Sequence, residues 1–395
     1  MSRNSRSNTP VYALLALVLV LFFSLAALLV SYEGQAAEPA AGQDPSAQRE
    51  TISAEEETIP AWLEPKPPEE KEPPEDALSA PEILADAALI AHGLGAVAAP
   101  AEDGARDVPE DEAQDDPADE AQDDPVDGEV ESSPADEDSP ELVTVLNCLE
   151  GFLAQYEAGV RVFEADLRLT ADMEVVLRHD WRAGWQEGVS ETAIPTLEEF
   201  LDKPILGEYT PLSFKDLLLL MEEYPDICVI TDTKFTEAEV VTAQFSAMLD
   251  DASELGLSYL FDRFIIQVYD QLMFQVVDNL HHFPHYIYTL YATGFAGTEA
   301  AFREAAGFCA DSGVMGLTLW DYWWRESYAP IAQELGVTVY VHTVNDAQEA
   351  RALLEGGVSG IYTDSLVPAD LEAAEAEATE ADGGGTPPES TEEGA

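Results

Sequence analysis

The sequence predicts an α/β protein whose eight parallel strands close into a (β/α)8 barrel, behind an N-terminal transmembrane helix and interrupted by disordered acidic segments. Three observations predict it. From residue 142 onward, short apolar runs alternate with amphipathic helical stretches. The helix-to-strand junctions repeat one pattern, Gly159-Val160, Gly313-Val314, Gly336-Val337 and Gly357-Val358; Gly supplies the left-handed helix cap and the β-branched residue opens a strand. Finally, His92, Glu164, Asp166, Asp232, Gln267 and His342 fall at or just past the C-terminal ends of strand candidates, the ends that converge on one mouth in a barrel.

Eight strand candidates follow from apolar, β-branched and aromatic runs: residues 87–91, 160–167, 227–232, 264–268, 286–290, 314–319, 337–342 and 360–363. Helical stretches lie between them at 147–158, 213–223, 237–255, 270–281, 298–312, 322–335 and 347–355, and a last one starts near Pro368. Ser213, preceded by Leu212 and followed by Asp216, reads as an N-cap with a hydrophobic staple. Eight such units over roughly 240 residues, with the acidic insert set aside, match the size of a barrel. A doubly wound open sheet is the alternative, because strand order is not written in the pattern; the polar residues at strand C-termini favour the barrel.

Composition divides the 395 residues further. Residues 1–10 are polar and carry Arg3 and Arg6, whereas 11–32 hold no charge. About 20 apolar residues span a bilayer as a helix, and flanking basic residues stay on the cytoplasmic side. The expectation is a single-pass anchor in the cell membrane, with the domain after Tyr32 extracytoplasmic. A cleaved signal peptide ending at Gly34-Gln35-Ala36 is the alternative, weakened by an apolar run longer than the roughly 7–15 residues of a signal h-region. Residues 33–80, rich in Pro, Glu and Ala, read as a disordered, self-repelling linker. The barrel takes 81–380 and the disordered tail 381–395. Residues 101–141, with the near-repeat DEAQDDPA and DEAQDDPV, read as a solvated insert in the loop after the first strand; such a loop is tolerated because closure entropy grows slowly with length. The net charge of −62 excludes a general nucleic-acid binder. Cys148, Cys228 and Cys309, scattered and odd in number, make neither a zinc site nor a disulfide framework.

Chemistry concentrates in residues 161–181, RVFEADLRLTADMEVVLRHDW. Side chains alternate along a strand, so Glu164 and Asp166 share one face and Phe163, Ala165 and Leu167 the other. A second extended run, 174–177, follows a turn at 170–173 and brings His179 and Asp180 back towards the same end. Neighbouring carboxylates out of water repel unless a cation or a shared proton offsets the charge, and hard oxygen ligands suit one divalent cation, Mg2+ or Ca2+. A surface strand with a salt-bridged acidic edge is the alternative. Of the six histidines, His281, His282 and His285 cluster around Pro284 on the far side of the barrel, while His92, His179 and His342 stand on the active face.

His92-Gly93, Asn147-x-x-Glu150, Phe163-Glu164-Ala165-Asp166-Leu167 with Thr170 and Asp172, His179-Asp180, Thr231-Asp232-Thr233-Lys234 and the closing Thr343-Val344-Asn345 and Gly360-Ile361-Tyr362-Thr363-Asp364 together resemble the glycerophosphodiester phosphodiesterases. These are (β/α)8 enzymes related to the phosphatidylinositol-specific phospholipases C. The resemblance implies that Glu164 and Asp166 bind the metal, with Asp232 where a third ligand, usually Glu, stands. It implies that His92 and His179 are the acid/base pair and that Lys234 faces the phosphate. Departures from the pattern concern substrate binding. The family's His-Arg-Gly is His92-Gly93-Leu94 here, so Lys234, Arg178 or Arg182 must compensate for the missing Arg. The turn Gly is Met173, and His342, a candidate substrate contact, replaces a Trp.

The resemblance implies hydrolysis of a glycerophosphodiester to an sn-glycerol phosphate and an alcohol. Small-molecule headgroup diesters, lysophospholipids and polyglycerol-phosphate polymers are the candidate substrates. A phospholipase C- or D-like lipid hydrolase is the enzymatic rival, with Trp320, Trp323 and Trp324 as candidates for an apolar rim. A catalytically silent binding module tethered to the envelope is the rival from another class.

Overall fold

The computed structural model describes residues 70–383 apart from 75, 76, 86, 100–141 and 183. All of these belong to one unit, Lys66–Ala395. The expected membrane helix at 11–32, most of the linker, the acidic insert and the chain beyond 383 lie outside the described residues. Among those described, no helix is long and apolar enough to cross a membrane.

The described strands are, in order, β1 (Leu89–Ala91), β2 (Val97–Ala98), β3 (Leu142–Val143), β4 (Val162–Leu169), β5 (Val175–Leu177), β6 (Cys228–Asp232), β7 (Phe264–Val268), β8 (Tyr286–Thr289), β9 (Gly316–Trp320), β10 (Thr338–His342) and β11 (Gly360–Thr363). Eight of them, all but β2, β3 and β5, run parallel in the order β1-β4-β6-β7-β8-β9-β10-β11. β1 pairs with β4 on one side and β11 on the other, which closes the cylinder and excludes the open-sheet alternative. The four junction glycines take φ of 102° (Gly159), 74° (Gly313), 69° (Gly336) and 102° (Gly357), as a cap before a strand requires. Ser213 and Asp216 form a reciprocal capping box at Phe214–Glu223, an arrangement whose Ser contributes about 1 kcal/mol.

Alternation along the strands sorts the barrel into two chemistries. Outward residues such as Phe163, Ala165 and Leu167 pack against the surrounding helices. Inward residues form an apolar lower layer, with Ile90, Val162, Ile230, Ile287, Tyr340 and Tyr362. One inward step up the same strands come His92, Glu164, Asp232, Thr289, His342 and Asp364, so the polar layer sits at the C-terminal mouth. Tyr340 fills the lower barrel because Gly316 and Gly360 leave it room: a Cβ on Gly316 would lie 3.1 Å from its ring and 2.5 Å from Thr338 Oγ1. Gly316→Ala should therefore destabilise the protein by about 1–3 kcal/mol, read as a lower urea midpoint at unchanged slope.

Three boundaries differ from the sequence-based expectation. First, packing begins before residue 80. Lys71 N–H donates to the Gly256 carbonyl at 2.9 Å, Ser258 Oγ donates to Glu70, and Lys71 pairs with Glu222. The helix Ala80–Ala85 then buries Ala80, Ile83 and Leu84 against the lower layer, closing the end opposite the mouth. Second, the stretch expected as one helix at 322–335 is two short turns, Asp321–Trp323 and Glu326–Tyr328, followed by Ala329–Leu335. Pro330, which lacks an N–H to donate, is accommodated only in a helix's first turn and so sets the start of the last piece. Third, the helix Pro368–Gly383 runs into the expected tail. β4 also extends past the barrel to pair antiparallel with β5 in the register Leu167↔Leu177, and β2 pairs with β3, so the ends of the acidic insert meet beside the mouth.

Candidate active site

Glu164 and Asp166 from β4 and Asp232 from β6 meet at the mouth, with Asp166 directly opposite Asp232 in the parallel register. One carboxylate oxygen from each lies within 4.8 Å of the others. Each carboxylate has a reason to be where it is. Glu164 Oε2 accepts the Gly93 N–H at 2.7 Å. Asp166 Oδ2 accepts Asn147 Nδ2 at 2.7 Å while the Asp166 N–H donates back to Asn147 Oδ1 at 3.0 Å. Asp232 Oδ2 lies 2.9 Å from Lys234 Nζ and accepts Tyr291 OH at 3.4 Å. What is left over is one buried oxygen on each: Glu164 Oε1, Asp166 Oδ1 and Asp232 Oδ1 have no hydrogen bond. Lys234 Nζ is 3.2 Å from Asp166 Oδ1, within ion-pair range but out of hydrogen-bond alignment. Three convergent hard oxygen donors that accept no hydrogen bond fit a divalent cation of the Mg2+ or Ca2+ type.

Electrostatics separates the carboxylates. Burial, then the neighbouring charges of Asp166 and Asp232, push Glu164 upward. Burial would raise Asp166 too, but Lys234, His179, His92 and the Asn147 amide pull it well below the usual carboxylate range. Both imidazoles are thus close enough to act on Asp166. Lys234, although buried, is held firmly cationic by Asp232, Asp166 and Glu164.

Each imidazole is oriented by a carboxylate. His92 Nδ1 is 2.8 Å from Asp364 Oδ1. Asp364 in turn accepts Asn345 Nδ2 at 2.7 Å, and its N–H donates to Asn345 Oδ1 at 2.8 Å. Burial opposes charge on His92, but the Asp364 hydrogen bond, with Glu164 and Asp166, raises its pKa to about 9. His179 follows β5, whose antiparallel course brings Arg178 N–H onto the Asp166 carbonyl at 2.9 Å. His179 Nδ1 lies 3.0 Å from Asp180 Oδ2, and Asp180 Oδ1 accepts the Arg182 N–H at 2.6 Å. In both cases Nε2 is the nitrogen left for chemistry.

The expected substrate contacts separate. Lys234 is at the carboxylates. His342 is buried among Trp320, Tyr291 and Tyr362, with ring centroids 4.3, 5.2 and 5.9 Å away. Burial, helped by the His92 and Lys234 charges, drives its pKa down to about 3, so it is a neutral ring, and its buried Nε2 has no hydrogen-bond partner. Arg178 is fully buried and stacked on Trp185 at 4.5 Å; it donates Nε to the Asp180 carbonyl at 2.6 Å, which ties it to its own loop. Gly93 explains the missing Arg. Its φ is 52° and a Cβ there would lie 2.6 Å from Val145 Cα, so the chain returning from the insert occupies the space an Arg side chain needs. Asn147, Asp180, Asn345 and Asp364 stand in the motifs that carry the resemblance, but the sequence pattern does not show these positioning roles. Arg168 stands outside those motifs, although strand parity places it on the face of Glu164 and Asp166.

Among solved structures the chain is similar to an Oleispira antarctica phosphodiesterase in complex with the product sn-glycerol-3-phosphate (15% identity, TM-score 0.48, 58% of this chain and 91% of that one). It is also similar to a glycerophosphodiester phosphodiesterase from Parabacteroides distasonis (18%, 0.46, 59% and 91%) and to one from Thermotoga maritima (18%, 0.44, 57% and 90%). The family model described as "Glycerophosphoryl diester phosphodiesterase family" matches residues 141–367, more than half of the chain. That match starts where the acidic insert ends, so β1 and His92 lie outside it, and the closure of β1 between β11 and β4 returns them to the same mouth. With the match covering the carboxylates, His179 and the Asn345–Asp364 pair, the chain belongs to the glycerophosphoryl diester phosphodiesterase family and is a phosphoric diester hydrolase acting on glycerophosphodiesters.

Proposed function

We propose that the protein hydrolyses a glycerophosphodiester to an sn-glycerol phosphate and an alcohol in a reaction that requires one divalent cation, Mg2+ or Ca2+. The observation that carries this reading is the trio of buried carboxylate oxygens on Glu164, Asp166 and Asp232 that accept no hydrogen bond, flanked by two carboxylate-held imidazoles. Those three residues would hold the ion, which when bound supplies Lewis-acid stabilisation of phosphoryl charge. His179, its Nδ1 committed to Asp180, takes at Nε2 the proton of the attacking water, or of the neighbouring glycerol hydroxyl, whose cyclic phosphate product is then opened by a water to the glycerol phosphate. His92, which keeps its proton, gives it to the leaving alkoxide as the phosphorus–oxygen bond to the alcohol breaks. Lys234 balances the phosphoryl charge. Turnover of glycerophosphocholine by the full chain, loss in chelator and recovery on adding Mg2+ or Ca2+ test the reading. Undiminished turnover after chelation would remove the cation from it.

The His92 assignment has a pH signature. The folded pKa, raised to about 9, lies above the unfolded value of about 6.5. Its contribution to stability is therefore complete below about pH 6.5 and is lost as pH rises through about 9. As general acid, His92 must be protonated, so the rate should fall on the alkaline side. Asp364→Asn removes the charged partner and should move that limb towards lower pH by about one to two units. A cation on the carboxylates removes the help of Glu164 and Asp166, so the His92 pKa, followed by NMR, should drop on adding metal. A limb unmoved by Asp364→Asn would take His92 out of the acid role.

The proposal includes a tether. Residues 11–32 would anchor the protein in the cell membrane, or be removed as a signal, with the hydrolase extracytoplasmic. In support, an uncharged apolar run follows Arg3 and Arg6. Protease added to intact cells should then degrade the barrel; protection until lysis would refute the placement.

A further inference from the structure

An apolar groove of about 640 Å³ opens beside the barrel mouth, along the β4–β5 hairpin, the residues after His179 and the first turns of the helix Ala238–Leu255. Leu169, Met173, Trp181, Ile194, Phe235 and Val240 give it an aliphatic and aromatic lining. Met173 and Ile194 are 53% and 40% exposed there, although residues of their kind are ordinarily drawn into a core. The groove's inner end belongs to the active site: Asp180 holds His179, Phe235 follows Lys234 in the chain, and Arg168 shares the β4 face of Glu164 and Asp166. Arg168 donates Nε to the His179 carbonyl at 2.8 Å and lies over the Phe235 ring at 5.1 Å. Among the described residues its two terminal nitrogens have no hydrogen-bond or salt-bridge partner. It is a cation held against the His179 backbone and the Phe235 ring, with its donor edge unspent.

The groove is lined by one cation and three carboxylates. Arg168 lines it together with Asp180, which is bonded to His179, and its other carboxylates, Glu191 and Glu239, are exposed. A polyanionic polymer would bring further phosphates against those carboxylates, and a small polar headgroup would leave the apolar wall uncovered. The volume suits one ligand of moderate size and is too small for the two long chains of a diacyl lipid.

We propose that the groove is a substrate subsite for a single aliphatic chain: the protein accepts phosphodiesters in which one alcohol carries one acyl or alkyl chain, with Arg168 against the phosphoryl group and the chain along Phe235, Met173 and Ile194. This rests on the hydrolase reading above and narrows its substrate to single-chain amphiphiles. The missing Arg at position 93 is then compensated from β4.

The test is a chain-length series on the full chain with Mg2+ or Ca2+: glycerophosphocholine and lysophosphatidylcholines with hexanoyl, decanoyl and tetradecanoyl chains, below their micelle-forming concentrations. The expected result is that kcat/KM rises about twofold for each methylene added until the groove is filled, since burial of a methylene in an open groove gives part of its full transfer gain. Ile194→Asp should flatten that slope. The slope is a ratio within one preparation, so loss of folded protein cannot produce it. Arg168→Gln should raise KM across the whole series while keeping the slope. Turnover of glycerophosphocholine with no rise along the series would overturn the subsite and leave the hydrolase reading standing. Absence of turnover on every substrate would overturn that reading, and the subsite is then decided by calorimetric binding of n-alkylphosphocholines, whose affinity must climb with chain length in the native protein and not in Ile194→Asp. A flat binding series would dismiss it.

Discussion

Replacing His179 by Ala should lower kcat/KM on glycerophosphocholine by about 10²–10⁴-fold, the usual contribution of one positioned proton carrier, while the melting temperature stays within a few degrees. The two halves of that expectation have separate physical causes. His179 is a third exposed and its imidazole meets Asp180, itself near the surface, so deleting the ring opens no core cavity. The loop carrying it is held by other bonds: Arg168 to its carbonyl, Arg178 to the Asp180 carbonyl, and the Arg182 N–H to Asp180. Asp180→Asn should cost less, because the ring keeps a hydrogen-bonding neighbour. If the loss comes from chemistry, it falls on kcat, and exogenous imidazole restores part of it. A variant that turns over like the native protein would exclude His179 from proton transfer.

Much of this site could be read from spacing because the strand is a two-residue ruler. Once 160–167 was a strand, Glu164 and Asp166 had to share a face, and the apolar partners Phe163, Ala165 and Leu167 had to face the helices, as they do. The glycine-valine junctions gave the strand starts for the same local reason: a left-handed cap followed by a β-branched residue has few other uses. What spacing could not give was whatever depends on contacts between distant segments. That Asp364 orients His92 is a bond across 272 positions, and nothing in Thr-Asp distinguishes an orienting carboxylate from a turn. Arg178 looked available for phosphate because it sits beside His179, yet burial against Trp185 commits it to its loop. Closure of Gly93 by Val145 depends on where the insert returns, which composition does not encode. Arg168 is the opposite case: parity along β4 places it on the face of Glu164 and Asp166 with no need of a distant contact.

Lys234→Met should destabilise the cation-free protein by about 3–5 kcal/mol, the cost of stripping the partner from buried charge, and divalent cation should give back most of that loss. In the structure the Lys234 ammonium is 2.9 Å from Asp232 Oδ2 and 3.2 Å from Asp166 Oδ1, so it stands among the oxygens a metal would need. Without it, three buried carboxylates would face each other with only the more distant imidazoles to offset them, and the protein should melt roughly 10 °C lower. An ion binding the native protein must first turn this ammonium away, whereas in the variant the carboxylates are already free. Millimolar Mg2+ or Ca2+ should therefore raise the melting temperature of Lys234→Met more than that of the native protein, because stabilisation grows with the ratio of ligand to its dissociation constant. Calorimetric titration should show the same order, with tighter cation binding to the variant even as its turnover falls for want of the phosphoryl contact. Equal shifts in the two proteins would mean that Lys234 and the cation do not share the carboxylates. A variant as stable as the native protein without metal would mean that the buried charge is offset elsewhere.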